Sequence, residues 1–544
     1  MWGTRSRPVS LASASIASVS LALLGAIITG PSNVMAQEAI AAARTQAAQS
    51  VSTYTMPSGD FTAGSAGVGT GVAFPVLSPI PDSELARLKQ QQGAAVASDS
   101  AAAGGAAPEP FPLFQECITN VATGFAPSDI HGAVAPTRLV VVTNVDIGVY
   151  SKATCGLISR VPLRTFFGAF GIPTTQTLFD PRVLYDRLSG RCLVTVESRD
   201  STNTNQFLYI AGSTSNTCSS WNLRRFTLSR VSPAALFCKL QQDDFYDYPN
   251  AGYNIRRLVV TSNNFTTATG PFSNGTVLSI DKLALYANGS VVGTCFNTGS
   301  IGNLTPAVVG DGNTLMFILS PGANSITRLR LDTGLNTLVA TPSIAVASAP
   351  VPPDAMQPNG QRLDTVDGRF VSATKQIGTL LYNVRSVNVG GFSRWRLYKL
   401  STTGTAPLFT FTPTTTTCAN GDHLFNASVD TNSTAPTALA FVTATRTCPS
   451  QAAAGRAAHL IFRGPNSSAA GWVFNTVETS PTNFAITGLG TSCNTAPGRA
   501  ACRWGDYSST QIDPSNTGRA WGFNQLITGA SQFNWNTRAG QVGP

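Results

Sequence analysis

The stretch Arg503-Trp504-Gly505-Asp506-Tyr507-Ser508-Ser509-Thr510-Gln511-Ile512-Asp513-Pro514-Ser515-Asn516-Thr517-Gly518-Arg519-Ala520-Trp521 decides the fold. It reads as an Asp leading into a short strand, a polar turn built from Asp, Pro and Gly, and a second strand that opens with Arg and soon reaches an aromatic residue. Weaker copies of this plan recur upstream at intervals of roughly 50 to 65 residues, the length of a four-stranded repeat with generous loops. The clearest is Phe179-Asp180-Pro181-Arg182-Val183-Leu184-Tyr185-Asp186, followed by Gly190 for the positive φ of a tight hairpin and by Arg191-Cys192-Leu193-Val194. Others centre on Arg138, on Tyr246-Asp247-Tyr248-Pro249-Asn250, on Leu315, on Arg362 and on Gly421-Asp422-His423.

Short strands repeated in this way predict an all-β chain folded as a single β-propeller with seven blades, six being the rival count. The last unit is one outer strand short, and residues around 114–121 are placed to supply it, with Cys117 as a lock. Composition agrees with a β fold: 42% hydrophobic residues, only 12% charged, and 49 glycines and 33 prolines to make turns. The net charge of +9 is spread through strands instead of gathered in runs, which argues against a nucleic-acid partner.

Ahead of the repeats, Arg5 and Arg7 precede an apolar run that ends in Val34-Met35-Ala36, the pattern of a cleaved secretory signal over 1–36. Residues 37–110 form a low-complexity linker rich in Ala, Gly and Ser, expected as a disordered spacer with one helical candidate over 82–91. The propeller then occupies 111–544. No stretch after the signal is long and apolar enough to span a bilayer, so the chain is expected to be secreted, extracellular or on a cell surface, as a monomer. All ten cysteines (Cys117, Cys155, Cys192, Cys218, Cys238, Cys295, Cys418, Cys448, Cys493 and Cys502) lie beyond the linker, which reads as a disulfide set. Proximity suggests Cys493 with Cys502, Cys418 with Cys448 and Cys218 with Cys238. They make no paired CxxC motif, and His131, His423 and His459 are isolated, so no zinc site is expected.

Arg503 to Ser508, Asp180 to Asp186 with Gly190-Arg191, Tyr246 to Asn250 before Thr261-Ser262-Asn263, and Val149-Tyr150-Ser151-Lys152 together resemble secreted sialidase-like (BNR-like) β-propeller proteins. The resemblance spans about residues 125–540 and implies the propeller fold and secretion, with no settled substrate. Strict Ser-x-Asp-x-Gly-x-x-Trp boxes and the arginine motif of sialidases are absent, and Glu197 and Glu478 are the only glutamates in that span.

In a propeller, equivalent residues of successive blades meet at the mouth of the central channel. Asp180, Asp247, Asp422 and Asp506 each precede an expected inner strand, which places four carboxylates at one mouth. Such a ring calls for a Ca²⁺ ion, a polar ligand or neutralising arginines, for which Arg182, Arg362 and Arg503 are the candidates. The alternative is that each Asp caps its own turn. His423 beside Asp422 is a further candidate ligand residue. The expected function is a binding module for an extracellular glycan or protein. The alternatives are a carbohydrate-active hydrolase or lyase using the mouth Asp residues, and a structural matrix or cell-wall protein. No P-loop, dinucleotide fingerprint, His-Glu-x-x-His or Gly-x-Ser-x-Gly motif is present.

Overall fold

The computed structural model describes residues 43–51, 53–57, 72–73, 77–90, 107–108, 113–123, 125–228, 237–413, 418, 421–435, 438–485 and 501–543. These form an all-β propeller. Antiparallel units of four strands follow one another, some of them merged into a 13-stranded sheet, and the strands that open them are His131–Val134, Thr177–Asp186, Phe245–Tyr253, Thr305–Val309, Thr374–Ile377, His423–Thr431 and Ser509–Asp513. Each unit is an up-and-down meander, the strands of the first being His131–Val134, Arg138–Val142, Asp146–Ser151 and Leu157–Pro162.

Neighbouring inner strands meet in two ways. Backbone ladders join the third to the fourth at Tyr253 and Val308, and the fourth to the fifth over Ala307 to Val309. There the chains run so close that a Cβ on Gly252 would lie 2.3 Å from the Ala307 carbonyl oxygen. Elsewhere side chains bridge the gap. Tyr253 donates to the Tyr185 carbonyl at 2.9 Å, Lys375 pairs with Asp430 at 3.4 Å, Ser428 and Thr510 share a hydroxyl bond at 2.9 Å, and Gly132 N–H donates to Ser509 Oγ at 2.7 Å. The inner strands therefore succeed one another round an axis, although backbone hydrogen bonds do not run continuously round it.

The sheets pack face to face through alternating apolar side chains, which is why the inner strands are buried on both sides. Val140, Val149, Val183 and Val194 fill the space between the first and second units, and Leu193, Ile210, Leu258 and Leu278 that between the second and third. Trp521 and Trp504 are inter-sheet core residues: Trp521 packs with Val134 and Val141, and Trp504 with Phe425 and Phe484. Trp504 Nε1 donates to Thr445 Oγ1 and Trp521 Nε1 to Asp513, so each indole reaches a polar partner within the core.

The last unit is completed as its missing edge predicts. Leu113–Thr123 pairs antiparallel with Asn534–Val542, and the Cys117–Cys155 disulfide ties that outer strand to the first unit. The other bridges are Cys192–Cys218, Cys238–Cys295 and Cys418–Cys448. Pairing Cys218 with Cys238 by proximity is thereby corrected. Cys192 bonds Cys218 in the connection between Gln206–Ser213 and Ser220–Thr227 of its own unit, whereas Cys238 bonds Cys295 on the third unit's strand Val292–Asn297. The suggested partner of Cys502, Cys493, lies outside the described residues, as do the candidate signal residues 1–36.

Parts of the expected spacer behave differently from a free linker. Arg44–Ala47 adds a strand to the edge of Val292–Asn297, and Gln49–Ser50 and Tyr54–Thr55 pair with Ser220–Thr227. The helix Asp82–Gln90 buries Leu85 and Lys89. Exposed sheet edges offer unpaired backbone groups, and these segments cover them despite their plain composition. Among the described residues, no helix is long and apolar enough to cross a membrane.

Candidate functional site

Three inner strands carry the same irregularity near their start. The register slips between Phe179 and Arg182, between Asp247 and Asn250, and between Phe425 and Ser428. In each slip one residue adopts positive φ: Asp180 at 51°, Tyr248 at 59° and Asn426 at 52°. A bulge of this kind re-aims side chains at the rim of a barrel or propeller. The structural equivalents are thus Asp180, Tyr248 and Asn426. Asp247 stands one residue earlier in its strand, and Asp422 four residues before Asn426.

This offset decides which candidates meet. Asp180, Asp247 and Asp506 converge on a cleft of about 330 Å³, together with Asp129, Arg199, Arg503, Leu77, Phe179, Phe245 and Ala268. Asp422 does not join them. It is buried against Arg394, with which it forms an ion pair. His423 accepts a hydrogen bond from Ser393 N–H at 3.2 Å, and its ring lies 5.2 Å from that of Phe392. Burial, aided by Arg394 and Arg362, holds its pKa down to about 3, so it is a neutral packing residue and not a general base at the cleft. Arg362 donates to the Asp354 carbonyl and likewise stands apart. The expected ring of four equivalent carboxylates is therefore corrected to three of the four, joined by others.

Asp129 was not anticipated. It precedes the four-residue strand His131–Val134, which has no alternating pattern to betray it, although Pro127-Ser128-Asp129 has the turn-then-strand plan of the later repeats. Its carboxylate accepts from Asp506 N–H at 2.7 Å and from Asn144 Nδ2 at 2.6 Å, while Asn144 Oδ1 accepts from Asp180 N–H at 2.7 Å. Arg503 grips Asp506 with two bonds, of 2.8 and 3.0 Å, and reaches Asp364 at 3.3 Å. Lys89, from the N-terminal helix, pairs with the same Asp364 at 3.0 Å and with Asp354.

The second unanticipated residue is Glu197, on the strand next to Asp180 and in register with Phe179. It is 1% exposed, and neither carboxylate oxygen has a hydrogen-bond partner. Asp180, Glu197 and Asp247 each offer an oxygen within 4.8 Å of the others. The only sequence signal for Glu197 was the scarcity of glutamate in the repeats.

Below the cluster the axis is filled. Arg182 does not line the cleft; it donates to the Pro249 and Val371 carbonyls and lies 3.3 Å from the Tyr507 ring centre. Tyr248 sits 6.0 Å from Tyr507, and Arg369, held by Asp367, covers Tyr248 at 4.2 Å. His131 Nδ1 faces the Val183 carbonyl at 2.8 Å. At the far end of the inner strands a second cleft of about 440 Å³ is lined by Arg187, Lys375 and Asp430 among others.

Burial, followed by the charges of Asp247 and Asp506, pushes the Asp180 pKa up to about 8. For Asp247, burial and Asp506 raise the value to about 6, with Arg369 and Arg199 opposing them. Burial drives Asp129 and Glu197 well above the usual carboxylate range, reinforced in both by neighbouring carboxylates. The carboxylates outnumber the arginines beside them, and the raised values are the response: without a further cation, part of the cluster holds protons at neutral pH.

No sequence-family profile matches the chain, and no curated protein matches it. Solved structures do. A Trypanosoma rangeli sialidase in complex with sialic acid is similar at 10% identity and a TM-score of 0.37, over 75% of this chain and 59% of that one. A Penicillium chrysogenum α-L-arabinanase is similar at 9% identity and a TM-score of 0.34, over 82% of this chain and 99% of that one. A protein of unknown function from Dyadobacter fermentans is similar at 8% identity and a TM-score of 0.38, over 80% of this chain and all of that one. The chain thus aligns with less than two thirds of the sialidase. Similarity at this level assigns neither a substrate nor a site.

Proposed function

We propose that the mouth cleft is the working site and that the protein is an extracellular binding module for a hydroxyl-rich ligand, a glycan. The carrying observation is the pairing, in one cleft, of carboxylates that have no cationic partner, Asp180 and Asp247, with the aromatic rings of Phe179 and Phe245. Carboxylate oxygens accept bonds from sugar hydroxyls, and rings pack on the apolar faces between those hydroxyls. Disulfides such as Cys117–Cys155 support an oxidising compartment. A glycan array probed with the full chain is expected to give hits that Asp247→Asn weakens about tenfold or more. No hits, or hits that Asp247→Asn leaves unchanged, would overturn the reading.

One observation favours a second reading, a hydrolase acting on glycosidic bonds. Asp180 and Asp247 offer oxygens no more than 4.8 Å apart, a close pairing compatible with the short carboxyl separation of about 5 to 5.5 Å in retaining glycosidases. Turnover of a polysaccharide by the wild type, abolished in the Asp180→Asn/Asp247→Asn double variant, is the outcome this reading requires.

A further inference from the structure

The carboxylates of the mouth fall into two sets that are treated differently by their surroundings. Asp129 and Asp506 are fully engaged, by Asn144, by the Asp506 N–H and by the two-pronged grip of Arg503. Asp180, Glu197 and Asp247 have no such grip: Asp180 has the Asp129 carboxyl beside it, Asp247 has the Tyr248 N–H, and Glu197 has no bonded partner. Among the described residues no Lys or Arg lies within ion-pair distance of any of the three, and both Glu197 oxygens are buried with no donor. The two nearby guanidinium groups act on the three only through space: Arg182 bonds the Pro249 and Val371 carbonyls, its Nη2 having no partner, and Arg199 bonds Asn203 and lies 4.5 Å from the centre of the Phe245 ring.

A buried carboxylate without a partner is costly, and the structure offers Glu197 no protein group to relieve it. Protonating Glu197 would remove its charge but would still leave its oxygens without bonds. A cation placed among the three side chains would satisfy all of them together.

We infer that Asp180, Glu197 and Asp247 form a binding site for one hard divalent cation, Ca²⁺, at the base of the mouth cleft. The donor set is oxygen only, with no imidazole or thiolate, which selects hard ions. The spacing admits Ca²⁺. Ligands on opposite sides of Ca²⁺ stand up to about 4.8 Å apart, at about 2.4 Å each, and the three oxygens lie within 4.8 Å of one another. Three carboxylates leave coordination positions to be filled by water or by ligand oxygens. Asp180 and Asp247 line the cleft, so those positions can be reached from it, whereas Glu197 anchors the ion from behind. This deepens, and rests on, the proposal that the cleft is the working site: vicinal hydroxyls of a glycan would complete the cation's coordination.

The test is calorimetric titration of Ca²⁺ into the full-length, chelator-stripped protein, paired with the glycan array run in Ca²⁺ and in EDTA. One Ca²⁺ per chain is expected, with affinity reduced about a hundredfold or more in Glu197→Gln and in Asp247→Asn. Two variants are used so that a folding defect in one, visible by circular dichroism, does not decide the matter. Absence of Ca²⁺ binding, or binding that both folded variants retain, would overturn the site. Glycan hits that persist in EDTA while Ca²⁺ fails to bind would sink the cation site and leave the ligand reading standing. Ca²⁺ binding of the expected kind with no glycan hits would do the reverse.

Discussion

The two sides of the mouth cleft solve the same electrostatic problem in opposite ways. On one side Arg503 joins Asp506 and Asp364, with Asp129 accepting from the Asp506 N–H and Lys89 adding a second cation. On the other, Asp180, Glu197 and Asp247 face one another with no cation bonded to any of them. Other buried polar atoms also lack partners, Arg182 Nη2 and both His459 nitrogens among them, but Glu197 is the one carboxylate among the described residues with both oxygens buried and unbonded. The lesson drawn from the contrast is that the matched side is scaffold and the unmatched side is held ready for something the chain does not itself contain.

The most damaging way to probe this contrast is to make the matched side unmatched. Arg503→Met strands Asp506 in the interior and leaves Asp364 with Lys89 alone, and a loss of about 3 to 5 kcal/mol in urea unfolding is expected, because breaking a buried pair leaves an uncompensated charge. A loss under about 1 kcal/mol would mean that Arg503 is not what holds that side.

A matched pair elsewhere in the ring should show its worth in acid. Burial alone would raise the Asp367 pKa, but Arg369, with bonds from Ser78 and Asn303, brings it down to about 2. A carboxylate whose folded pKa is depressed contributes stability that is complete above its unfolded pKa and disappears as pH falls through the folded one. Roughly 2 to 3 kcal/mol should therefore vanish between about pH 4 and pH 2, and Asp367→Asn should flatten that part of the pH–stability curve.

An unmatched group outside the cleft gives the opposite pH signature. His459 is fully buried with neither ring nitrogen bonded, and burial, then Arg538, lowers its pKa to about 3. The unfolded chain takes up a proton below about pH 6.5 and the folded one does not, so stability falls as pH drops from about 6.5 toward 3. The cost should be about 2 kcal/mol at pH 5, and His459→Leu should remove that slope. The smallest effect sharpens the comparison most. In chelator, Glu197→Gln should change unfolding stability by less than about 1 kcal/mol, since it removes no bonded partner, whereas a cost as large as that of Arg503→Met would show a hidden partner and dissolve the contrast.

Much of the architecture was legible because it rests on local pattern. β-Branched apolar runs such as Arg138 to Val142 and the turn at Gly190 mark strands and hairpins, and the short final unit pointed to residues around 114–121, within Leu113–Thr123, as its completing strand. Inner strands such as His131–Val134 and Thr305–Val309 were missed because both faces are buried and neither shows a period of two. For the site, Asp180, Asp247 and Asp506 were found by their place before a strand, but Asp422 was misplaced because register is a three-dimensional property. Asp180 is itself the positive-φ residue of its bulge and Asp247 directly precedes its equivalent, whereas Asp422 stands four residues before Asn426, an offset that spacing does not reveal. Glu197 could not be singled out, since its importance lies in what fails to touch it. The covering role of residues 44–55 and of Lys89 was hidden by composition, which describes average burial and not a few well-placed contacts.

The central claim, that the unmatched carboxylates await a cation at the ligand site, is tested most directly by anomalous diffraction from crystals grown in millimolar Ca²⁺. The account predicts a peak lying about 2.3 to 2.6 Å from oxygens of Asp180, Glu197 and Asp247. A map without density among these three residues, with the Glu197 carboxylate hydrogen-bonded to a protein group, would contradict it.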